Sequence, residues 1–407
     1  MKYLFFVLIT LCACTSSCKK EELLNPETEE LTVLEKIDSI VSIENEDDRQ
    51  LATSSFWNSV KSENNIPLTK DSLAIFFYYG EANTVEWNGD FNSWSQDATY
   101  DNKGVNIEGT DLWYWTAVFP DDARLDYKIT LNGSNWILDP ENQNQQWSGF
   151  GPNSELRMPK YETESILNPN PNIETGSTET FIIHSDQLNY QVAIKVYLPT
   201  HFENANSLPL IIVTDGHEYS DERLGNMITV LDNLIAEDKI EPVIAAFIDP
   251  RDPDNLDTNR RQDEYTINAS YLDFVTEELV PRLETEFKAA SEPGKRAILG
   301  TSLGGINSSY FGAKANQHFK NIASQSPAYW YRSNEIYDLV EQAEHSETKI
   351  FISAGTFNDG LENASKMSEI YENKGLAVEM MIVNEGHSWG AWSAQLDDIL
   401  IYFYGNE

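Results

Sequence analysis

Residues 298–305 read Ile298-Leu299-Gly300-Thr301-Ser302-Leu303-Gly304-Gly305. A short apolar run ends in small residues placed around a serine. Two readings compete. In one, a buried strand turns through glycine into a helix, and Ser302 only caps that helix. In the other, Gly300-x-Ser302-x-Gly304 is a sharp strand-to-helix turn that lifts a nucleophilic hydroxyl above the end of a sheet. The motif is short and recurs by chance, so the rest of the chain must supply a base, an acid and an oxyanion site.

Outward from this stretch, strand-like runs alternate with helical periodicity. The runs lie at 208–215, 242–249, 295–300, 320–326, 348–355 and 376–384, after a leading hairpin at 180–184 and 191–199. Between them lie stretches such as 269–287, whose apolar residues recur at helical spacing. This alternation predicts a mostly parallel sheet with helices on both faces over residues 177–407.

In such a sheet, functional groups gather at the carboxyl ends of the strands. Of the six histidines, His387 alone follows the last strand, in Glu385-Gly386-His387-Ser388-Trp389. It is the candidate general base, while His184, His201, His318 and His345 have no comparable setting. The acid should follow the preceding strand, which offers Asp359 and Glu362. Asp359 is preferred because it lies nearer the strand end. Its task would be to hold the imidazole tautomer. For the oxyanion, the expected donors are the amides of Leu303 and of His217, the latter in the turn after run 208–215.

With this order of serine, acid and histidine, residues 177–405 resemble the esterase-D group of α/β-hydrolases, which includes enterochelin, feruloyl and acetylxylan esterases. The enterochelin-esterase type is most similar. The resemblance rests on Asp215-Gly216-His217-Glu218-Tyr219, on Ile248-Asp249, on Arg261, Glu264 and Asn268, and on Gly300–Gly305, 324–330 and 385–392. It implies ester hydrolysis by a Ser302-His387-Asp359 triad through an acyl-enzyme, with no metal and no organic cofactor. Arg261, Glu264, Trp330 and Trp389 become candidate substrate-binding residues. Arg261 and Glu264 fit equally well as an ion pair bracing their loop.

The front of the chain differs. Residues 46–165 read as a front domain: a short amphipathic stretch with Phe56 and Trp57 ends near Asn65, and from Leu73 short aromatic and β-branched runs separated by Gly, Asn and Asp give the pattern of an antiparallel β-sandwich. The stretches 84–94 and 127–142 resemble the family-48, glycogen-binding type of carbohydrate-binding module. Most of Trp87, Trp94, Trp113, Trp115 and Trp136 are expected in the core. Residues 166–176, with Asn168-Pro169-Asn170-Pro171, read as a linker.

All three cysteines, Cys12, Cys14 and Cys18, lie in the first 18 residues, leaving none for a disulfide, a zinc site or a thiol nucleophile further on. Lys2 precedes an apolar run too short to span a bilayer. Residues 1–18 resemble a bacterial lipoprotein signal, with Cys18 preferred over Cys14 for lipidation. Residues 19–45 read as an acidic tether. The expected location is the outer membrane or cell surface, with the periplasmic face as the other placement.

With 28 basic against 66 acidic residues, the formal net charge is −38. Such a surface repels phosphate backbones and excludes nucleic acid as a main partner. The partners expected are a membrane, through the lipid anchor, and a small-molecule or polysaccharide-linked ester. The substrate would be a siderophore trilactone or feruloyl and acetyl groups on a polysaccharide. The alternative is a non-catalytic, glycan-binding surface lipoprotein on a hydrolase scaffold.

Overall fold

A computed structural model describes residues 32–63, 65–98 and 100–406. The signal segment 1–18 with Cys18, and the first part of the tether, lie outside the described residues.

The helix Val33–Val41 begins with a capping box in which Thr32 and Glu35 satisfy each other's backbone N–H groups. Its Ile37 and Ile40 join Phe56, Trp57 and Val60 of the helix Glu46–Glu63 against Ile75 and Phe77 of a sheet. The second half of the stretch read as tether is therefore packed structure.

That sheet holds Leu68–Lys70, Leu73–Tyr79, Leu112–Val118 and Val105–Asn106. A second sheet holds Val85–Gly89, Arg124–Leu131, Gly151–Arg157 and Gln145–Ser148, with Asn135–Ile137 paired to Arg124–Leu131. Between them lies an aromatic core of Phe76, Trp87, Phe91, Trp115 and Tyr127. Trp87 and Trp115 are core as expected, and Trp113 packs partly buried against them. Trp94 and Trp136 are not in that core and face a cavity.

The segment at 166–176 is anchored at its start. Asn233 donates to the carbonyls of Ile166 (2.7 Å) and Asn168 (2.9 Å), and Asn226 donates to that of Leu167 (2.7 Å).

The rest of the chain forms an eight-stranded sheet. Its order is Ser177–Ser185, Tyr190–Leu198, Ile244–Asp249, Leu210–Val213, Arg296–Thr301, Asn321–Gln325, Lys349–Gly355 and Ala377–Val383. The first three strands pair antiparallel and the rest parallel. Every residue of Leu210–Val213 and Asn321–Gln325 is buried, because helices cover both faces. Met227–Ala236 and Leu396–Tyr404 pack on one face. Leu303–Lys314, Val280–Phe287, Glu335–Gln342 and Leu361–Asn373 pack on the other. This is the α/β-hydrolase fold behind a sheet-rich front region. The run 269–287 is helical but interrupted by a π-helical stretch at Phe274–Leu279. No helix among the described residues is long and apolar enough to cross a membrane.

Candidate active site

Ser302 joins the central strand Arg296–Thr301 to the helix Leu303–Lys314. Its backbone sits at φ 57° and ψ −113°, a conformation that costs energy for any residue with a Cβ. The surroundings hold it there: its N–H donates to the Gln325 carbonyl (2.9 Å), and its own carbonyl accepts from Ala328 N–H (2.9 Å). The flanking residue must be glycine for steric reasons, since a Cβ on Gly300 would collide with the Thr214 hydroxyl and the Gly304 backbone. Strand and helix thus cross closely enough to leave Ser302 at the sheet's carboxyl edge.

Asp359 follows the strand Lys349–Gly355, and His387 follows Ala377–Val383. Asp359 Oδ1 lies 2.6 Å from His387 Nδ1. Its other oxygen accepts from the Gly355 N–H (2.6 Å) and the Ser326 hydroxyl (2.6 Å). Ser326 in turn accepts from Trp392 Nε1 (2.8 Å), and the Trp392 ring meets the His387 imidazole edge-on at 4.8 Å. The carboxylate is buried and fixed on both oxygens, while the imidazole stays part-exposed. Glu362 is exposed in the first turn of Leu361–Asn373.

Ser302 and His387 line one cavity of about 670 Å³. Leu303 opens its helix, and His217 lies in the short helix Gly216–Tyr219, so both amides sit where backbone N–H groups lack intrahelical acceptors. The His217 imidazole also lines the cavity, 3.5 Å from Asp249, and burial lowers its pKa.

The four candidate substrate-binding residues divide. Trp389 lines the cavity, with its ring edge-on to Tyr219 (4.9 Å) and Trp392 (5.1 Å). Arg261 lines it too, but its Nε reaches both oxygens of buried Asp215 at 2.8 Å, and it also donates to the Thr301 carbonyl at 3.2 Å. Glu264 is not in the cavity. It is 1% exposed and accepts the Tyr190 hydroxyl at 2.8 Å. Neither a substrate contact nor a pair with Arg261 describes it, because Arg261 turns to Asp215 and Glu264 turns inward. Burial pushes its carboxyl up to about 8. Trp330 is 61% exposed and away from the cavity, its ring against Tyr331.

The sequence reading missed the other wall. Trp94, Lys128, Trp136 and Phe150 of the front region line the same cavity. It also missed Arg124, which joins the two regions. This fully buried guanidinium donates to Asp126 (2.6 Å), Glu155 (2.5 Å) and Ser388 (2.9 Å) and lies 3.5 Å from Glu385. Its backbone N–H donates to the Asn384 carbonyl at 3.2 Å. Nearby, Asn358 donates to the Asp90 carbonyl at 2.9 Å. The segments that carry Asp359 and His387 therefore both rest on the sandwich. Burial pushes Glu385 up to about 7, with Arg124 opposing the rise. The only trace in the sequence was an Arg-x-Asp-x-Lys alternation on one strand, which reads equally well as a solvated face.

Comparison with known proteins places these features. The Esterase family model, described as "Putative esterase", matches residues 185–403. The Bacillus subtilis (strain 168) protein YjcH is 24% identical over 231 residues, covering 54% of this chain and 94% of its own. The iron(III) enterobactin esterase of Dickeya dadantii (strain 3937) is 22% identical over 279 residues, covering 61% of this chain. That match takes in 62% of the enterobactin esterase, and the match to the Escherichia coli (strain K12) enzyme takes in 60%. Among solved structures, the ferric enterobactin esterase of Salmonella typhimurium superposes with a TM-score of 0.72 at 18% identity, over 86% of this chain and 98% of that one. The Shigella flexneri enterobactin esterase gives 0.68 at 20%, over 85% and 97%. At these identities the superpositions speak for the fold, across both the front region and the hydrolase. The family model spans more than half of the chain, and the chain belongs to the Esterase family, carboxylic ester hydrolases on the α/β-hydrolase fold.

Proposed function

We propose that the protein hydrolyses carboxylic esters by a serine mechanism. Ser302 attacks the carbonyl while His387 takes its proton, and Asp359 keeps the imidazole in the tautomer that can do so. The Leu303 and His217 amides receive the oxyanion. His387 then protonates the leaving alcohol, and water activated by the same histidine releases the acid. The observation that carries this reading is the 2.6 Å Asp359–His387 contact, with His387 and a serine in a strained turn lining one cavity.

Two substrate classes fit this chemistry. One is a catecholate siderophore trilactone, suggested by the names of the enterobactin esterases. The other is acyl esters on a polysaccharide. Ser302→Ala should lower kcat on an activated ester by about 10⁵-fold or more, with an unchanged circular dichroism spectrum. Activity within tenfold of the parent would end the serine mechanism.

We further propose that the protein is lipid-anchored through Cys18, a residue outside those described. The support is the pattern of the leader. Fractionation of Cys14→Ala and Cys18→Ala variants tests it. Retention of both in the membrane would remove the anchor.

A further inference from the structure

The sandwich presents three aromatic rings to the cavity. Phe150, at the tip between Gln145–Ser148 and Gly151–Arg157, is 99% exposed, and Trp136 is 42% exposed. Trp94 packs near-parallel to Trp136, with centroids 6.4 Å apart at 29°, and donates its Nε1 to Asp90 at 3.2 Å. The tip is tied to the hydrolase: Arg223 lies over the Trp147 ring at 4.7 Å, and Gln146 donates to the Arg223 carbonyl at 3.4 Å. A fully exposed phenylalanine held at a cavity mouth is costly in water and gains from any flat partner.

The charges of the cavity narrow that partner. Four carboxylates line it: Asp90, Asp126, Asp215 and Glu218. Asp126 shares the single Arg124 cation with Glu155 and Glu385, and Arg261 neutralises Asp215. Asp90 accepts from Trp94 and from the Asp126 N–H, and Glu218 lies 4.0 Å from His217. Lys128 lines the same cavity and has no ion-pair partner among the described residues. A single unpaired cation cannot offset several negative charges brought in by a ligand, least of all on a chain with a net charge of −38.

We propose that the sandwich wall, Trp94, Trp136 and Phe150, is a ring-binding subsite that takes the flat face of an uncharged ring, aryl or sugar, on an ester whose carbonyl lies at Ser302. The same wall disfavours a trianionic ferric tris-catecholate. This rests on the esterase reading and names its substrate class. Burial, followed by the neighbouring Asp126, raises the Asp90 carboxyl, which agrees with a charge-poor wall.

The test compares kcat/KM for methyl cinnamate (aryl ring) and acetylated xylobiose (sugar ring) with that for ring-free vinyl acetate. Trp136→Ala and Phe150→Ala should each lower the ring-to-vinyl ratio about tenfold for at least one ring ester, and that ester identifies the source of the ring. Trp330→Ala, off the cavity, should leave both ratios within twofold. Ratios that do not move in the first two variants overturn the proposal. So does a preference for a ferric tris-catecholate trilactone over its iron-free form. If the parent hydrolyses no ester, the esterase reading fails, and titration calorimetry of Ser302→Ala with methyl cinnamate and xylobiose still decides the subsite. Binding that Trp136→Ala weakens about tenfold supports it. Binding unaffected by that change, or no binding, overturns it.

Discussion

On the hydrolase side of the cleft, Ser302, Asp359 and His387 each follow the carboxyl end of a parallel strand. On the sandwich side, the residues that matter come from the polar face of one strand, Arg124–Leu131, and from loop and hairpin tips. The first wall is fixed by short local contacts: two backbone or hydroxyl donors lock the Asp359 carboxylate within its own sheet edge. The second wall is fixed by Arg124, whose partners Glu385 and Ser388 lie about 260 positions away in the chain. The contrast teaches that one wall would carry the proposed chemistry, while the other would set how rigidly that chemistry is held and what it meets.

The sharpest way to break the comparison is Asp359→Asn. Loss of tautomer control should lower kcat by about 10³- to 10⁴-fold with the fold intact. Glu362→Gln should cost less than about tenfold. A reversed order in steady-state kinetics would return the acid's role to Glu362.

Arg124→Ala should act next, and mainly on stability. It leaves Asp126, Glu155 and Glu385 buried without their shared cation, a change that typically costs about 3–5 kcal/mol. Urea denaturation measures it, and a loss below about 1 kcal/mol would show the two walls to be independent. Ser388→Ala is the milder probe, because it removes one hydrogen bond, from Arg124, next to His387. It should lower kcat several-fold while the Tm moves by only about 2 °C. Equal, proportionate losses in both would reduce Arg124 to a purely structural brace.

The smallest effect belongs to Glu264. Glu264→Gln should leave kcat/KM within about threefold, as befits a residue outside the cavity. Its trace should appear in stability against pH. Its folded pKa, about 8, lies above the unfolded carboxylate value of about 4.3. Its contribution to stability is therefore fully present below about pH 4.3 and is lost as pH rises through about 8. Thermal melts between pH 5 and 9 should fall less steeply for the variant. Parallel curves would show that Glu264 ionises at its ordinary value.

How much of this was legible follows from what each wall is made of. The eight strands, the elbow at Ser302 and the order of Asp359 and His387 are local patterns repeated along the chain. They survive without knowledge of what packs where. Arg124, Asp126 and Lys128 alternate with Leu125, Tyr127 and Ile129, and that alternation marks a strand with one wet face. In the structure nearly every residue of the strand is buried, because part of the polar face meets Glu385 and Ser388 of the hydrolase region. Nothing in a single strand distinguishes water from a polar neighbour. The same gap explains Glu264 and Trp330. Their spacing around Arg261 and after the strand Asn321–Gln325 is correct for a cleft, but the direction of each side chain is decided by packing partners distant in sequence.

The joint at Arg124 also bears on recombination. The stretch 168–176 looks like a seam at which a front module could be exchanged for another. Yet a Cβ on Gly390 would strike the Arg124 guanidinium, so the hydrolase surface there is moulded to one particular side chain. A graft with an unrelated module would leave a vacant notch above Gly390 and a buried glutamate, Glu385, beside the histidine loop. Shuffling at this seam should therefore succeed only when the incoming module brings its own arginine to that notch. The front region and the hydrolase are thus keyed to each other by one buried side chain.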